Sequence, residues 1–181
     1  MFVAVPPPAA ALAHLAAAVA LLREAGGAPA WTAIDRWHLT LLFLAAVPPG
    51  VVPPLTERVG EAVEATPPLI LRLAGGGRFG SVRRPQVLWA GVAGDVAALG
   101  ALAARLQAAA RSLRLPVEDR PFRPHLTLGR WRPGRPADGA LADRLAGYAG
   151  PTWPVEEVAL MRSTLGPAPR HDRLAGWAPG R

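Results

Sequence analysis

One tetrapeptide stands twice in this chain, at His38-Leu39-Thr40-Leu41 and at His125-Leu126-Thr127-Leu128. Each copy lies in an apolar run that reads as a β-strand. Side chains alternate faces along a strand, so the His and Thr of each copy point one way and its two leucines the other. A chain with this pattern must build two strands that each bury a leucine face. From the opposite face each strand then offers one imidazole and one hydroxyl. The chain has 4 histidines, and two of them stand in identical surroundings.

Between the motifs the apolar pattern switches between strand and helix periods. Phe2-Val3-Ala4-Val5 reads as a short buried strand ended by Pro6, Pro7 and Pro8. A helix is predicted from Ala9 to Ala25, with Leu12, Leu15, Val19 and Leu22 on one face and Gly26-Gly27 as its stop. The first motif strand is predicted over Trp37 to Leu44, with Leu39, Leu41 and Phe43 on one side and His38, Thr40 and Leu42 on the other. A second helix is predicted from Pro54 to Ala65, with Glu57, Glu61 and Glu64 on a solvated face. Leu69 to Leu73 reads as a strand closed by Gly75-Gly76-Gly77, taken as a sheet-edge turn. The triplet lacks the Gly-Lys-Ser/Thr ending of a phosphate loop and opens no helix. Val87 to Val92 is another strand. Asp95 then stands near the N-terminus of a third helix, whose buried stripe is Val96, Leu99, Leu102, Leu106 and Leu113. The second motif strand is predicted over His125 to Arg132, a further helix over Ala140 to Tyr148, and closing strands over Val155 to Ser163 and Arg173 to Trp177. The order is strand–helix–strand–helix–strand, then strand–helix–strand–helix–strand–strand. That is an approximate internal duplication with one motif per half, although the halves share little other sequence. Residues 1–181 are expected to form one two-lobed domain.

Composition narrows the chemistry. With 181 residues, 51% of them hydrophobic and 18% charged, the chain can bury a core rather than stay disordered. It contains no cysteine, which excludes disulfides, thiolate nucleophiles and cysteine-type zinc sites. The net charge is +7, and residues 78–135 alone carry 11 arginines against Asp95, Glu118 and Asp119. A local basic field favours a polyanionic partner such as RNA or DNA. Every basic residue is Arg and Lys and Asn are absent, which is also what GC-rich coding produces, so charge alone does not choose between the two readings. The apolar stretch over residues 9–22 is too short to span a bilayer and no basic residue precedes it. A cytoplasmic chain is expected.

Opening a phosphodiester requires a proton removed from the attacking oxygen and one supplied to the leaving oxygen, on opposite sides of phosphorus. Histidine can do either near neutrality, because its unperturbed pKa is about 6.5. His38 and His125 on two similar strands are therefore candidates for the acid and the base. Thr40 and Thr127 are candidates to donate hydrogen bonds to the non-bridging oxygens, and Arg130, just past the second motif, to add positive charge. Two histidines with no Asp, Glu or Cys on the same strands fall short of a usual metal ligand set. His14 lies in a predicted helix and His171 in a polar, Arg-flanked turn, and neither is assigned a role. Trp31, Trp37, Trp89, Trp131, Trp153 and Trp177 are expected in the core or at lobe edges. One aromatic near the site could stack a base.

The chain resembles the two-histidine phosphoesterases, and among them the RNA 2′,3′-cyclic phosphodiesterases, also called 2′-5′ RNA ligases. Their hallmark is a duplicated His-x-Thr-x, here His38–Leu41 and His125–Leu128. Met1–Pro6, Trp37–Leu44, Val87–Val92, Arg120–Arg130 and Arg162–Pro167 are similar to further family segments. Ala45 stands where the family commonly has Gly, and Trp31–Arg36 and the segment from Pro167 diverge. The resemblance implies an α+β fold of two pseudo-symmetric lobes, with antiparallel sheets lining a central cleft and helices outside. It implies His38 as proton donor to the leaving 3′ oxygen, His125 as the base that activates water, and Thr40 and Thr127 as phosphate ligands. The implied reaction is hydrolysis of a terminal cyclic phosphate on RNA to a 2′-phosphate, reversible as 2′-5′ ligation without ATP. No metal, cofactor, membrane or obligate protein partner is implied, and a monomer is expected. Two alternatives remain: a phosphodiesterase for a small cyclic nucleotide or 2′-5′ oligonucleotide, and a non-catalytic module that binds RNA ends.

Overall fold

The computed structural model describes residues 1–164 and 170–180. Phe2–Val5 (β1) is buried at every position, as a strand covered on both faces must be. Ala9–Arg23 (α1) follows, burying Ala11, Leu15, Val19 and Leu22 at helical spacing. Ala30–Trp31 (β2) is a two-residue strand. Leu39–Phe43 (β3) carries the first motif, and Val52–Glu64 (α2) follows it with Glu57, Glu61 and Glu64 exposed. Ile70–Gly80 (β4) and Pro85–Gly94 (β5) form a long hairpin, and Val96–Ser112 (α3) buries Leu99, Leu102 and Leu106. His125–Arg130 (β6) carries the second motif. Ala149–Pro154 (β7), Val158–Thr164 (β8) and Arg170–Trp177 (β9) close the described chain.

All strand pairs are antiparallel, in the order β7-β4-β5-β6-β3-β1-β8-β9, with β2 on β6. The order is symmetric about its middle. Each half has four strands with a motif strand innermost, and in each a strand and a helix precede the motif strand: β1 and α1 before β3, with β2 intervening, and β5 and α3 before β6. This is the two-lobed α+β architecture, curled so that the lobes share one sheet. The halves join at one pairing, Leu39 with Leu126, each the second residue of its tetrapeptide. Both leucines are buried in the main core. The helices back the sheet: α1 packs on β4 and β7, α3 on β3, and α2 on α3, β8 and β9. No described helix is long and apolar enough to cross a membrane.

Several expectations need correction. The lobes are not contiguous halves of the chain, because β4 from the first half pairs with β5 and β8 from the second pairs with β1. The glycine triplet is not a turn but lies inside β4. There the register shifts between Leu73 and Gly76, and Gly75 holds φ 67°, the left-handed conformation a bulge of this kind needs. A Cβ on Gly76 would lie 2.4 Å from the Leu145 side chain, and one on Gly77 2.3 Å from the Trp89 ring. The triplet is therefore there for close approach. Asp95 does not cap α3 with its side chain; its carboxylate instead accepts from the backbone N–H of Ile70 across the sheet, 2.8 Å away. Val96, outside the buried stripe, is exposed. The helix expected over Ala140 to Tyr148 is a 3-10 segment, Gly139–Leu145; the strand expected over Val155 to Ser163 is β8, beginning at Val158, and β7, Ala149–Pro154, was not expected. His171 lies on β9 rather than in a turn. Of the segment Arg162–Pro167, Leu165 to Pro167 lie outside the described residues.

Candidate active site

The two motif strands build their ends in the same way. Along β1 and β3, Ala4 pairs with Thr40 and Val3 with Leu42, which leaves Leu41 as an extra residue. Along β5 and β6, Trp89 pairs with Thr127 and Leu88 with Gly129, which leaves Leu128 extra. The last leucine of each tetrapeptide is thus a β-bulge. A bulge reverses the alternation beyond it. That is why Leu42, expected beside His38, is buried, and Phe43, expected with the core leucines, is 54% exposed. Before the bulge the expected alternation holds: His38, Thr40, His125 and Thr127 are half-buried, and Leu39, Leu41, Leu126 and Leu128 are buried.

The Leu39–Leu126 pairing brings the four polar side chains together. An antiparallel register continued one residue to either side of that pair sets His38 toward Thr127 and Thr40 toward His125. One face of two adjacent strands therefore carries two imidazoles and two hydroxyls, related by a pseudo-twofold axis.

Each imidazole is oriented by the carbonyl two residues before it. His38 Nδ1 lies 2.8 Å from the Arg36 carbonyl and His125 Nδ1 2.7 Å from the Arg123 carbonyl. A carbonyl only accepts, so both Nδ1 atoms carry the proton and donate it. This leaves each Nε2 available as a base when neutral and as an acid when charged. The residue between carbonyl and imidazole fixes the geometry. In one copy it is Pro124, whose ring holds φ near about −65°. In the other it is Trp37, at φ −76°, which is buried and ties its indole N–H to the Thr32 carbonyl at 3.1 Å.

The surroundings of the two histidines differ. The His38 ring stacks on Phe2 with centroids 4.7 Å apart and meets the edge of His171 at 5.8 Å. His125 meets the edge of Phe79 at 4.9 Å and of Trp89 at 6.4 Å, and Phe79 and Trp89 lie 5.7 Å apart. Trp89 occupies, opposite Thr127, the register position that Ala4 holds opposite Thr40. Burial lowers the proton affinity of both imidazoles below the usual histidine range, because the charged form loses water. The carbonyl hydrogen bonds oppose that shift. Nearby positive charge adds to it: His171, Arg36 and His125 for His38, and Arg130 for His125.

Of the residues singled out from sequence, His38, Thr40, His125 and Thr127 converge on one face. Arg130 is exposed at the end of β6, near enough for its charge to be felt at His125. His14, on α1, lies elsewhere, 3.1 Å from the Tyr148 hydroxyl. Trp37, Trp131 and Trp153 are core residues, and Trp89 is the tryptophan in contact with His125. Sequence reasoning did not single out Phe2, Phe79 or His171. The strand pairings that bring them to the site are non-local, and the alternation within each strand carries no mark of them. Among the described residues no cluster of three or more His, Cys, Asp or Glu side chains is placed to hold a metal ion.

Comparison with known proteins gives the family. The model of the 2′-5′ RNA ligase superfamily matches residues 6–167. The RNA 2′,3′-cyclic phosphodiesterase of Geobacillus stearothermophilus is 33% identical over 147 residues, 81% of this chain and 46% of the relative. The protein of the same name from Thermus thermophilus is 33% identical over 136 residues, 72% of this chain and 65% of the relative. The chain therefore spans between about half and two thirds of the length of these curated relatives. Among solved structures, a protein of Thermus thermophilus superimposes with a TM-score of 0.80 at 29% identity, covering 99% of this chain and 97% of that one. Escherichia coli LigT complexed with 3′-AMP gives a TM-score of 0.79 at 26% identity over 99% and 97% of the two chains. With the duplicated motif on paired strands, and a family match that includes both copies, the chain belongs to the 2′-5′ RNA ligase superfamily.

Proposed function

We propose that this chain is an RNA 2′,3′-cyclic phosphodiesterase that works as one two-lobed domain, with one motif per lobe. The observation that carries the reading is the matched orientation of His38 and His125. Each donates Nδ1–H to a backbone carbonyl and keeps Nε2 free on the shared face. The relatives named for this activity support the choice of substrate.

In the proposed reaction a water oxygen attacks phosphorus while His125 Nε2 takes its proton. The bond from phosphorus to the 3′ oxygen breaks, and His38 Nε2–H protonates that oxygen. The product is a 2′-phosphomonoester, with one new P–O bond for the one broken. Thr40 and Thr127 donate to the non-bridging oxygens, where positioned hydroxyls stabilise developing charge. Arg130 adds positive charge on the His125 side. The assignment of acid and base follows the family resemblance, since a pseudo-symmetric face supports either direction. An RNA 5′-hydroxyl replacing water would form a 2′-5′ linkage, driven by the strained cyclic phosphate. Two imidazoles supply both proton transfers, so the reaction requires no metal or nucleotide cofactor.

The test is incubation of a short RNA ending in 2′,3′-cyclic phosphate with the protein in EDTA, followed by analysis of the end group. Formation of a 2′-phosphate supports the reading. A 3′-phosphate product, or turnover that requires a divalent metal, overturns the mechanism. Turnover of 2′,3′-cyclic mononucleotides or 2′-5′ oligonucleotides but not of the RNA would reassign the substrate. Binding of the RNA end without turnover would make the chain a binding module.

A further inference from the structure

We propose that His171, outside the duplicated motif, is a third imidazole of the site, a positioning residue that braces His38 from the side and opposes a second positive charge there. The inference rests on the reading of His38 as a site residue.

The rings of His38 and His171 meet, although β1 and β8 separate β9 from β3 in the sheet order. The curl of the sheet brings the His171 ring 5.8 Å from His38 at an interplanar angle of 86°, and 5.0 Å from Phe2 at 83°. Phe2 in turn stacks on His38 at 21°. The three rings form one cluster in which His38 has a face on Phe2 and an edge contact with His171. Among the described residues the second lobe shows no counterpart: His125 contacts the rings of Phe79 and Trp89, which cannot take a proton. Two motif copies with the same backbone thus have unlike walls, and the titratable wall stands beside His38.

The environment of His171 is divided. Its Nδ1 is buried and has no hydrogen-bond partner among the described residues, which favours the neutral ring. Burial and the Arg36 guanidinium act in the same direction, whereas the Arg170 carbonyl, Asp172 and Asp35 favour the charged form. The other titratable group felt at His38 is His125 on β6. A positive charge on His171 opposes charge on His38, while Asp172 and Asp35 favour the charged form of His171. An anionic phosphate beside both rings would offset that repulsion, so substrate binding would itself favour charging of the donor.

The test is a histidine titration by proton NMR of wild type, His171→Phe and His171→Gln, with resonances assigned by single substitution. Phenylalanine keeps the edge contact and glutamine keeps polarity, and neither takes a proton. The His38 midpoint should rise in both variants by about half a pH unit or more, the size expected for unit charges at this separation even in a water-like medium. The His125 midpoint should stay within a smaller shift. An unchanged or lowered His38 midpoint in either folded variant overturns the proposal. The readout needs no turnover. A wild type inactive on cyclic-phosphate RNA would count against the proposed function while leaving the titration result decisive for His171.

Discussion

The two copies of the motif make a controlled comparison within one molecule. Both end in a β-bulge at the last leucine, both donate Nδ1–H to the carbonyl two residues back, and both meet at the Leu39–Leu126 pair. They differ in what lines them. His38 sits against Phe2 and His171, whereas His125 sits against Phe79 and Trp89 with Arg130 in range. The duplicated part is the backbone apparatus that aims an imidazole and a hydroxyl. The part that diverged is the wall, which decides how readily each imidazole is charged and what can lie against it. A symmetric scaffold with asymmetric walls is what a reaction needs when one histidine must give a proton and its twin must take one.

The comparison is broken most sharply by removing each imidazole. His38→Ala and His125→Ala should each lower kcat on cyclic-phosphate RNA by about 10²–10⁴-fold, the usual range for general acid–base groups. Near-normal turnover in either variant would reduce that copy to a structural repeat. Thr40→Val and Thr127→Val keep the strand shape and remove one hydroxyl each. Each should cost up to about 10²-fold in kcat, at or below the low end for removing one positioned donor. A loss confined to one threonine would show that the phosphate leans on one lobe. The smallest expected effect concerns the wall of the second lobe. A Cβ at Gly77 would lie 2.3 Å from the Trp89 ring, so Gly77→Ala must displace that ring and should lower stability by about 1–3 kcal/mol in chemical denaturation. An unchanged denaturation midpoint would mean that Trp89 is not held against β4.

What could be read from sequence follows a physical line. The leucine faces of both motifs, the stripes of α1 and α3 apart from half-buried Leu12 and Leu113 and exposed Val96, and the solvated glutamates of α2 are local periodicities, and they survive into the structure. The paired imidazoles were legible because a repeated tetrapeptide forces two similar strands. The bulges at Leu41 and Leu128 were not, since a bulge is defined by a partner strand, and so the faces of Leu42 and Phe43 were misassigned. Gly75-Gly76-Gly77 has the composition of a turn, but its purpose is set by Leu145 and Trp89, which arrive from other elements. Likewise Asp95 has the identity and position of a helix cap, yet the Ile70 N–H across the sheet takes its carboxylate. His171 shows the same limit at the site itself, because only the curl of the sheet brings β9 over to His38.

The most direct test of the central claim, that two copies of one motif do opposite jobs, is the pH dependence of kcat/KM in wild type and in the two His→Ala variants. Wild type should give a bell, since one imidazole must be neutral and the other charged. Both imidazoles are pushed below the usual histidine range, so its maximum should lie on the acid side of neutrality in the free enzyme. Residual activity of His38→Ala, which lacks the proton donor, should rise with pH and then level off. That of His125→Ala, which lacks the base, should fall as pH rises. Loss of the same limb in both variants, or a bell that survives either substitution, would contradict the account.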